Sequence, residues 1–233
     1  MAANKKTTIA LFGATGNTGK AVLAHALELG YAVRAMVRTP AKVTTKDESL
    51  KVIQGELDDL SAIKDTVQGC DYVVSVVGGP MGNPSAYPAS LMETFVRLLV
   101  PVLKESKTIK AFSYQAGFLA ATPAEVADNS LPWSIYLFRN IVTRSIEPNL
   151  MDHQTVLQYL ESEGKSDSYS TAVIMASVLK EGDATRTLVS QHERSGLLTS
   201  VGGVTFEEIA KHNLANVKEI SVKGISYIWP SPP

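Results

Sequence analysis

Three glycines at positions 13, 16 and 19 close the stretch TTIALFGATGNTGK, residues 7–20, and their spacing suits the holding of an anion. A strand that turns directly into a helix leaves the first helical N–H groups unpaired and points the positive end of the helix dipole outward. Gly13 permits the tight turn, Gly16 lets a pyrophosphate approach the backbone without meeting a Cβ, and Gly19 lets the helix lie close on the sheet. Thr15, Asn17 and Thr18 add side-chain donors. A glycine-rich turn with no ligand is the alternative for an isolated triplet. This one follows an apolar run and opens a helical pattern, which favours a dinucleotide. The spacing is G-x-x-G-x-x-G, one residue off the commoner dehydrogenase form.

The residue type at the end of the second strand selects the nucleotide. An acid there accepts from a ribose 2′-hydroxyl, and a cation there pairs with a 2′-phosphate. The chain has Arg38, no acid from 34 to 46, and Thr39 and Lys42 beside it, so the expectation is NADP(H). A solvated surface arginine is the alternative. For proton transfer, a tyrosine followed four residues later by lysine is the usual dehydrogenase pair, the lysine lowering the tyrosine's pKa. None of the eight tyrosines has a lysine at that spacing. Tyr114, near the carboxyl end of a strand, has a hydroxyl to donate or is a packed side chain. His153 follows Asp152 at the start of a helical pattern; it is either a proton donor titrating near neutrality or a first-turn residue behind an N-cap aspartate. His25, His192 and His212 have no companions at ligand spacing, and with Cys70 the single cysteine no metal site is expected.

The elements that would position these residues alternate. Residues 8–12, 31–37, 51–54, 71–77 and 109–114 read as strands, and residues 18–29, 59–67 and 89–106 as helices, the last with Pro101 as a candidate kink. This is the order of a Rossmann-type, doubly wound α/β fold with a parallel sheet. Beyond Gly117 the pattern loosens: helices over 131–146 and 151–161 separated by Glu147-Pro148-Asn149, a strand over 170–175, a weaker one near 187–189, a helix over 206–217 opened by a Thr205/Glu208 capping box, and an edge strand over 225–229. No Ser/Gly-rich linker separates the halves, so a single domain is expected. Residues 1–117 would form the cofactor-binding core, and 118–233 would complete the sheet and form a small substrate lobe.

With 233 residues, 45% of them hydrophobic, the chain can bury a sizeable core. A net charge of -1 gives no basic excess for a nucleic-acid backbone. The amino terminus MAANKKTT lacks the apolar stretch of a secretory signal, and no segment approaches the ~20 apolar residues of a membrane span. A cytoplasmic protein with a small-molecule partner is expected, with neither nucleic acid nor membrane.

TIALFGATGNTGKAVLAHALELGYAVRAMVR, VIQGELDD, GCDYVVSVVGG and MDHQTVLQYLESEG together resemble the atypical, or extended, short-chain dehydrogenase/reductases, especially NmrA-like and biliverdin-IXβ (flavin) reductase-like proteins. The resemblance implies that Leu57 and Asp58 contact the adenine, that Gly78 and Gly79 bend beside the nicotinamide ribose, and that Ala176 and Ser177, where relatives carry a proline, line the nicotinamide pocket. It also implies a serine where Gln115 stands. An amide can hold a carbonyl or a water but is a poor proton source. An Asp-His pair at the place of Asp152 and His153 also recurs in those reductases. The chain is therefore expected to be an NADPH-dependent oxidoreductase acting on a planar conjugated or aromatic small molecule such as a flavin, quinone, tetrapyrrole or secondary-metabolite intermediate. Its catalytic candidates are His153, Tyr114 and Gln115. The alternatives are a non-catalytic NADP(H)-sensing regulator of NmrA-like type with a protein partner, and a non-redox isomerase or dehydratase.

Overall fold

Strand β1 (Thr8–Phe12) has four of its five residues buried, and it passes through the glycine turn into α1 (Asn17–Glu28). There follow β2 (Ala32–Val37), a 3₁₀ turn at Pro40–Lys42, β3 (Leu50–Gln54), α2 (Leu60–Val67), β4 (Tyr72–Ser75), α3 (Leu91–Glu105) and β5 (Ala111–Gly117). The second half contains α4 (Pro123–Ala127), α5 (Trp133–Glu163), β6 (Ser170–Ala176), β7 (Leu179–Lys180), β8 (Val189–Gln191), β9 (Val204–Thr205), α6 (Phe206–Glu219) and β10 (Gly224–Ser231). The structure, a computed structural model, describes residues 6–78, 90–117, 119–176, 179–185, 187–191, 204–219 and 224–231. Gly79, Ser177 and His192 lie outside them.

The strands form one sheet in the order β3-β2-β1-β4-β5-β6-β10-β8, and β7 pairs separately with β9. All pairings in the main sheet are parallel except β10 with β8. Strands buried on both faces read as continuous apolar runs, as β1, β4 and β6 do. One core lies under α2, α3 and α5 and contains Phe12, Phe95, Phe112 and Leu157. The other lies under α1 and α6 and contains Leu11, Val22, Val74 and Leu214. His25 Nε2 bonds to Glu207 where α1 meets α6.

In the first half, helix α3 runs through Pro101 as the single helix expected over 89–106, at the cost of one backbone bond. The second half departs from the sequence reading in two places. The run over 225–229 is an interior strand, not an edge, because β10 sits between β6 and β8. The two helices expected on either side of residues 147–149 are a single helix, α5, with no loop between them. That helix is bent, however. Arg139 Nη2 donates to Gln154 Oε1 at 3.1 Å, whereas 15 residues of straight helix span about 22 Å, beyond the reach of two side chains. The capping box at α6 forms as the sequence suggests: Thr205 N–H donates to Glu208 Oε2 at 3.0 Å, and Glu208 N–H donates to Thr205 Oγ1 at 3.1 Å.

Candidate functional site

The carboxyl ends of β1 and β4 meet at the topological switch point of the sheet, where the chain leaves in opposite directions. The glycine turn is built against that edge. Gly13 has φ +93°, and a Cβ on it would lie 3.0 Å from the Val76 and Val77 backbone. A Cβ on Gly19 would fall 1.9 Å from the Gly13 carbonyl oxygen, so α1 can seat on the turn only with glycine there. Gly16 differs. A Cβ there would meet nothing closer than 3.4 Å, an ordinary contact, and the position is exposed. The first intrahelical bond to Gly16 comes from Lys20, which leaves the amides of Asn17, Thr18 and Gly19 without a helix partner at the dipole's positive end.

Arg38 follows β2 directly and is exposed, as are Thr39 and Lys42, and Arg38 makes no ion pair among the described residues. Arg34, four residues earlier on β2, is already committed, donating to Asp65 Oδ1 at 2.7 Å and to the Thr66 carbonyl. After β3, Leu57 is half-buried against the α2/α3/α5 core, Asp58 is exposed, and the neighbouring Asp59 is occupied as the N-cap of α2. Gly78 is exposed just beyond β4. Ala176 is 5% exposed, closing β6 opposite Gly117.

The three residues expected to share the chemistry are divided by the sheet. Side chains alternate along β5, so Tyr114 enters the α3/α5 core while Gln115 lies on the α6 face. Tyr114 is fully buried, its hydroxyl 2.6 Å from His153 Nδ1. His153 is itself 5% exposed, and burial lowers its pKa to about 4, a shift that the adjacent Asp152 charge only partly opposes. The expectation of a histidine titrating near neutrality is thereby corrected, because desolvation outweighs the carboxylate. Asp152 and His153 are also not the opening of a helix. They lie within α5, and Asp152 caps a different helix: its two oxygens accept from the Met92 and Glu93 amides of α3 at 2.7 and 2.8 Å. The N-cap position of α3 is Ser90, which is in the left-handed region at φ 57° and makes no side-chain cap, so Asp152 performs that task from across the fold.

Gln115 has a partner that sequence reasoning missed. Asn213 of α6, fully buried, donates to Gln115 Oε1 at 3.1 Å and accepts from Ser113 Oγ at 2.9 Å. The available signal was a polar residue inside the apolar stripe Ile209, Ala210, Leu214 and Val217.

A family model described as NAD(P)H-binding matches residues 13–218. The chain belongs to the NAD(P)H-binding family. Curated relatives include the reductase pytE of Aspergillus terreus, 35% identical over 101 aligned residues, covering 35% of this chain and 38% of that protein. Averufin oxidase A of Aspergillus flavus is 24% identical over 194 residues, covering 77% and 67%. The isoflavone reductase homolog IRL of Zea mays is 29% identical over 119 residues, covering 47% and 35%. Against pytE, the chain spans little more than a third of the relative's length. Among solved structures, ChuY, an anaerobillin reductase from Escherichia coli O157:H7, superposes with TM-score 0.74 over 97% of this chain and 98% of its own at 15% identity. The oxidoreductase ylbE of Lactococcus lactis gives 0.68 over 97% and 92% at 16% identity. Both share the fold. The site fits the nicotinamide dinucleotide this family binds: the amides of Asn17, Thr18 and Gly19 have no helix partner, and a Cβ on the exposed Gly16 would meet no protein atom closer than 3.4 Å. Among the described residues no cluster of three metal-ligating side chains occurs, and no helix is long and apolar enough to cross a membrane.

Proposed function

We propose that this protein is an NADPH-dependent oxidoreductase acting on a planar conjugated or aromatic carbonyl compound. The observation that carries the cofactor half is Gly16: the protein's own atoms leave room for a side chain there, so packing does not explain the glycine and the approach of a pyrophosphate does. Arg38, exposed at the end of β2 and unpaired among the described residues, supports NADP(H) over NAD(H). The relatives' names, an isoflavone reductase homolog and an averufin oxidase, support an aromatic substrate. A bound nicotinamide would supply hydride transfer. The chain itself binds and orients: the turn amides hold the pyrophosphate and Arg38 the 2′-phosphate. His153 is buried against Tyr114 and burial lowers its pKa to about 4, which makes it a poor proton source at pH 7, so we assign the proton to solvent.

The test has two parts. Arg38→Ala should weaken NADPH binding roughly 10- to 100-fold, the effect of losing about 1.5–3 kcal/mol of charge-assisted contact, and leave NADH binding unchanged in calorimetry. Equal losses for the two nucleotides would make Arg38 structural. Turnover of NADPH with flavins, quinones or conjugated ketones supports the enzyme; tight binding without turnover of any of them selects the sensor.

A further inference from the structure

We propose that Gln115 presents its side-chain N–H₂ as a fixed hydrogen-bond donor to a carbonyl oxygen of the bound ligand, with Asn213 as the positioning residue that sets its direction. The inference rests on the cofactor site described above and adds a ligand-recognising group to it.

The direction follows from hydrogen-bond chemistry. Asn213 Nδ2 lies 2.9 Å from the Ile209 carbonyl oxygen, one turn back on α6, and that oxygen only accepts. The nitrogen of Asn213 therefore faces Ile209, and its oxygen faces Ser113, whose hydroxyl donates to it at 2.9 Å. A primary amide has two hydrogens. The second goes to Gln115 Oε1 at 3.1 Å, so this oxygen is turned inward toward α6. Reversing Asn213 would oppose its oxygen to the Ile209 carbonyl inside a site where Ser113 and Asn213 are both fully buried, and buried polar groups do not go unpaired cheaply.

With its oxygen held, Gln115 must direct Nε2 away from Asn213. No protein partner for that nitrogen is found among the described residues, and Gln115 is only half-buried. It stands two residues before the carboxyl end of β5, beside Ile174 of β6. In the order β1-β4-β5 it is two strand spacings, about 10 Å, from the strand that carries the glycine turn. That is the edge on which ligands of open α/β sheets lie. The bonds run in one sense, Ser113 to Asn213 to Gln115, and each polarises the next, so the terminal N–H is strengthened as a donor.

A donor-only end recognises an acceptor. It favours a carbonyl or carboxamide oxygen, and it stabilises that oxygen further if negative charge develops on it. It cannot surrender a proton, which separates it from the serine implied at this position by resemblance. Two oxygens answer the description: the carboxamide of the nicotinamide and a carbonyl of the second substrate.

Calorimetry with three probes distinguishes them in wild type, Gln115→Leu and Asn213→Asp: NADP⁺, 2′-phospho-ADP-ribose, which lacks the nicotinamide, and menadione, a quinone. Once ionised, the Asn213→Asp carboxylate can only accept, so at a pH high enough to ionise it the variant draws the Gln115 N–H₂ inward and turns the Gln115 oxygen toward the ligand. Both variants should lose about 5- to 10-fold in affinity for the probe whose oxygen Gln115 holds, the scale of one hydrogen bond. A loss for NADP⁺ with phospho-ADP-ribose unchanged assigns the carboxamide; a loss for menadione with both nucleotides unchanged assigns the substrate carbonyl. Comparing probes within one variant removes any general loss of folding, which moves all three together. In wild type, the side-chain amide signal in ¹⁵N spectra that disappears in Gln115→Leu should shift on adding the same probe. The proposal is overturned if every probe that binds does so within twofold in all three proteins. Failure of the cofactor reading shows separately, as wild type that takes up neither nucleotide.

Discussion

Gly13, Gly16 and Gly19 occupy one turn, yet the bare fold demands only two of them. A side chain at 19 collides with the Gly13 carbonyl at 1.9 Å, so Gly19→Ala must push α1 off the sheet. The cost should be about 1–3 kcal/mol, read as a lowered melting temperature. At Gly16 the nearest atom to a new Cβ is at 3.4 Å, so Gly16→Val should melt within about 1 kcal/mol of wild type. Its nucleotide affinity should nevertheless fall at least tenfold, because the branched side chain occupies the pyrophosphate approach. Normal NADP⁺ binding by Gly16→Val would remove the phosphate from this turn. The turn was legible in the sequence because its constraint is local, from a strand to a helix within seven residues. Tyr114, Gln115 and His153 were not legible as a group, because strand alternation sends adjacent residues to opposite faces and only the assembled sheet shows which partner waits on each.

Helix α3 depends on a residue sixty positions away. Its first amides are satisfied by Asp152, so the carboxylate joins α3 to α5 where both approach the carboxyl edge of the sheet. Asp152→Ala leaves two amides unpaired at a position 5% exposed. The expected loss is about 2 kcal/mol, lowering the melting temperature by roughly 4–8 °C for a chain of this size. Asp152→Asn, which keeps one acceptor, should lose less, and equal melting of both variants with wild type would dismiss the cap. No periodicity announces such a cap. Asp152 precedes an apolar helical pattern and so reads as the cap of its own helix, and the true recipient is fixed only by the packing of α3 on α5. The same holds for α5 itself. Glu147-Pro148-Asn149 reads in the sequence as a break between two helices, but α5 runs through it, and only the Arg139–Gln154 contact shows that the helix is bent between those two residues.

At the scale of the molecule, the first half followed from the alternation of strand and helix, each element within a loop's length of its neighbour. The second half did not, because β10 reaches its place between β6 and β8 from the end of the chain, and pairing at such separation leaves no local mark. Two buried histidines there tie the whole fold to pH. Burial lowers His153 to about 4 despite Asp152, and lowers His212 to about 4 despite the Leu188 carbonyl, each from an unfolded value of 6.5. The folded state therefore keeps both neutral in a range where the unfolded chain binds a proton at each. Stability is complete above pH 6.5 and falls as pH drops toward 4, by up to about 1.4 kcal/mol per pH unit for each histidine and about 3 kcal/mol for each in full. Between pH 6.5 and 5 the carboxylates remain ionised for the most part, so the slope in that window belongs chiefly to histidines. Urea denaturation across it should show unfolding free energy declining with acid in wild type. His153→Gln, which retains a hydrogen-bonding partner for Tyr114, should be less steep by the share of one proton, and His212→Gln by another. A slope unaltered by His153→Gln would mean that His153 is already charged in the folded protein near pH 6, and it would restore to that residue the proton which its burial denies it.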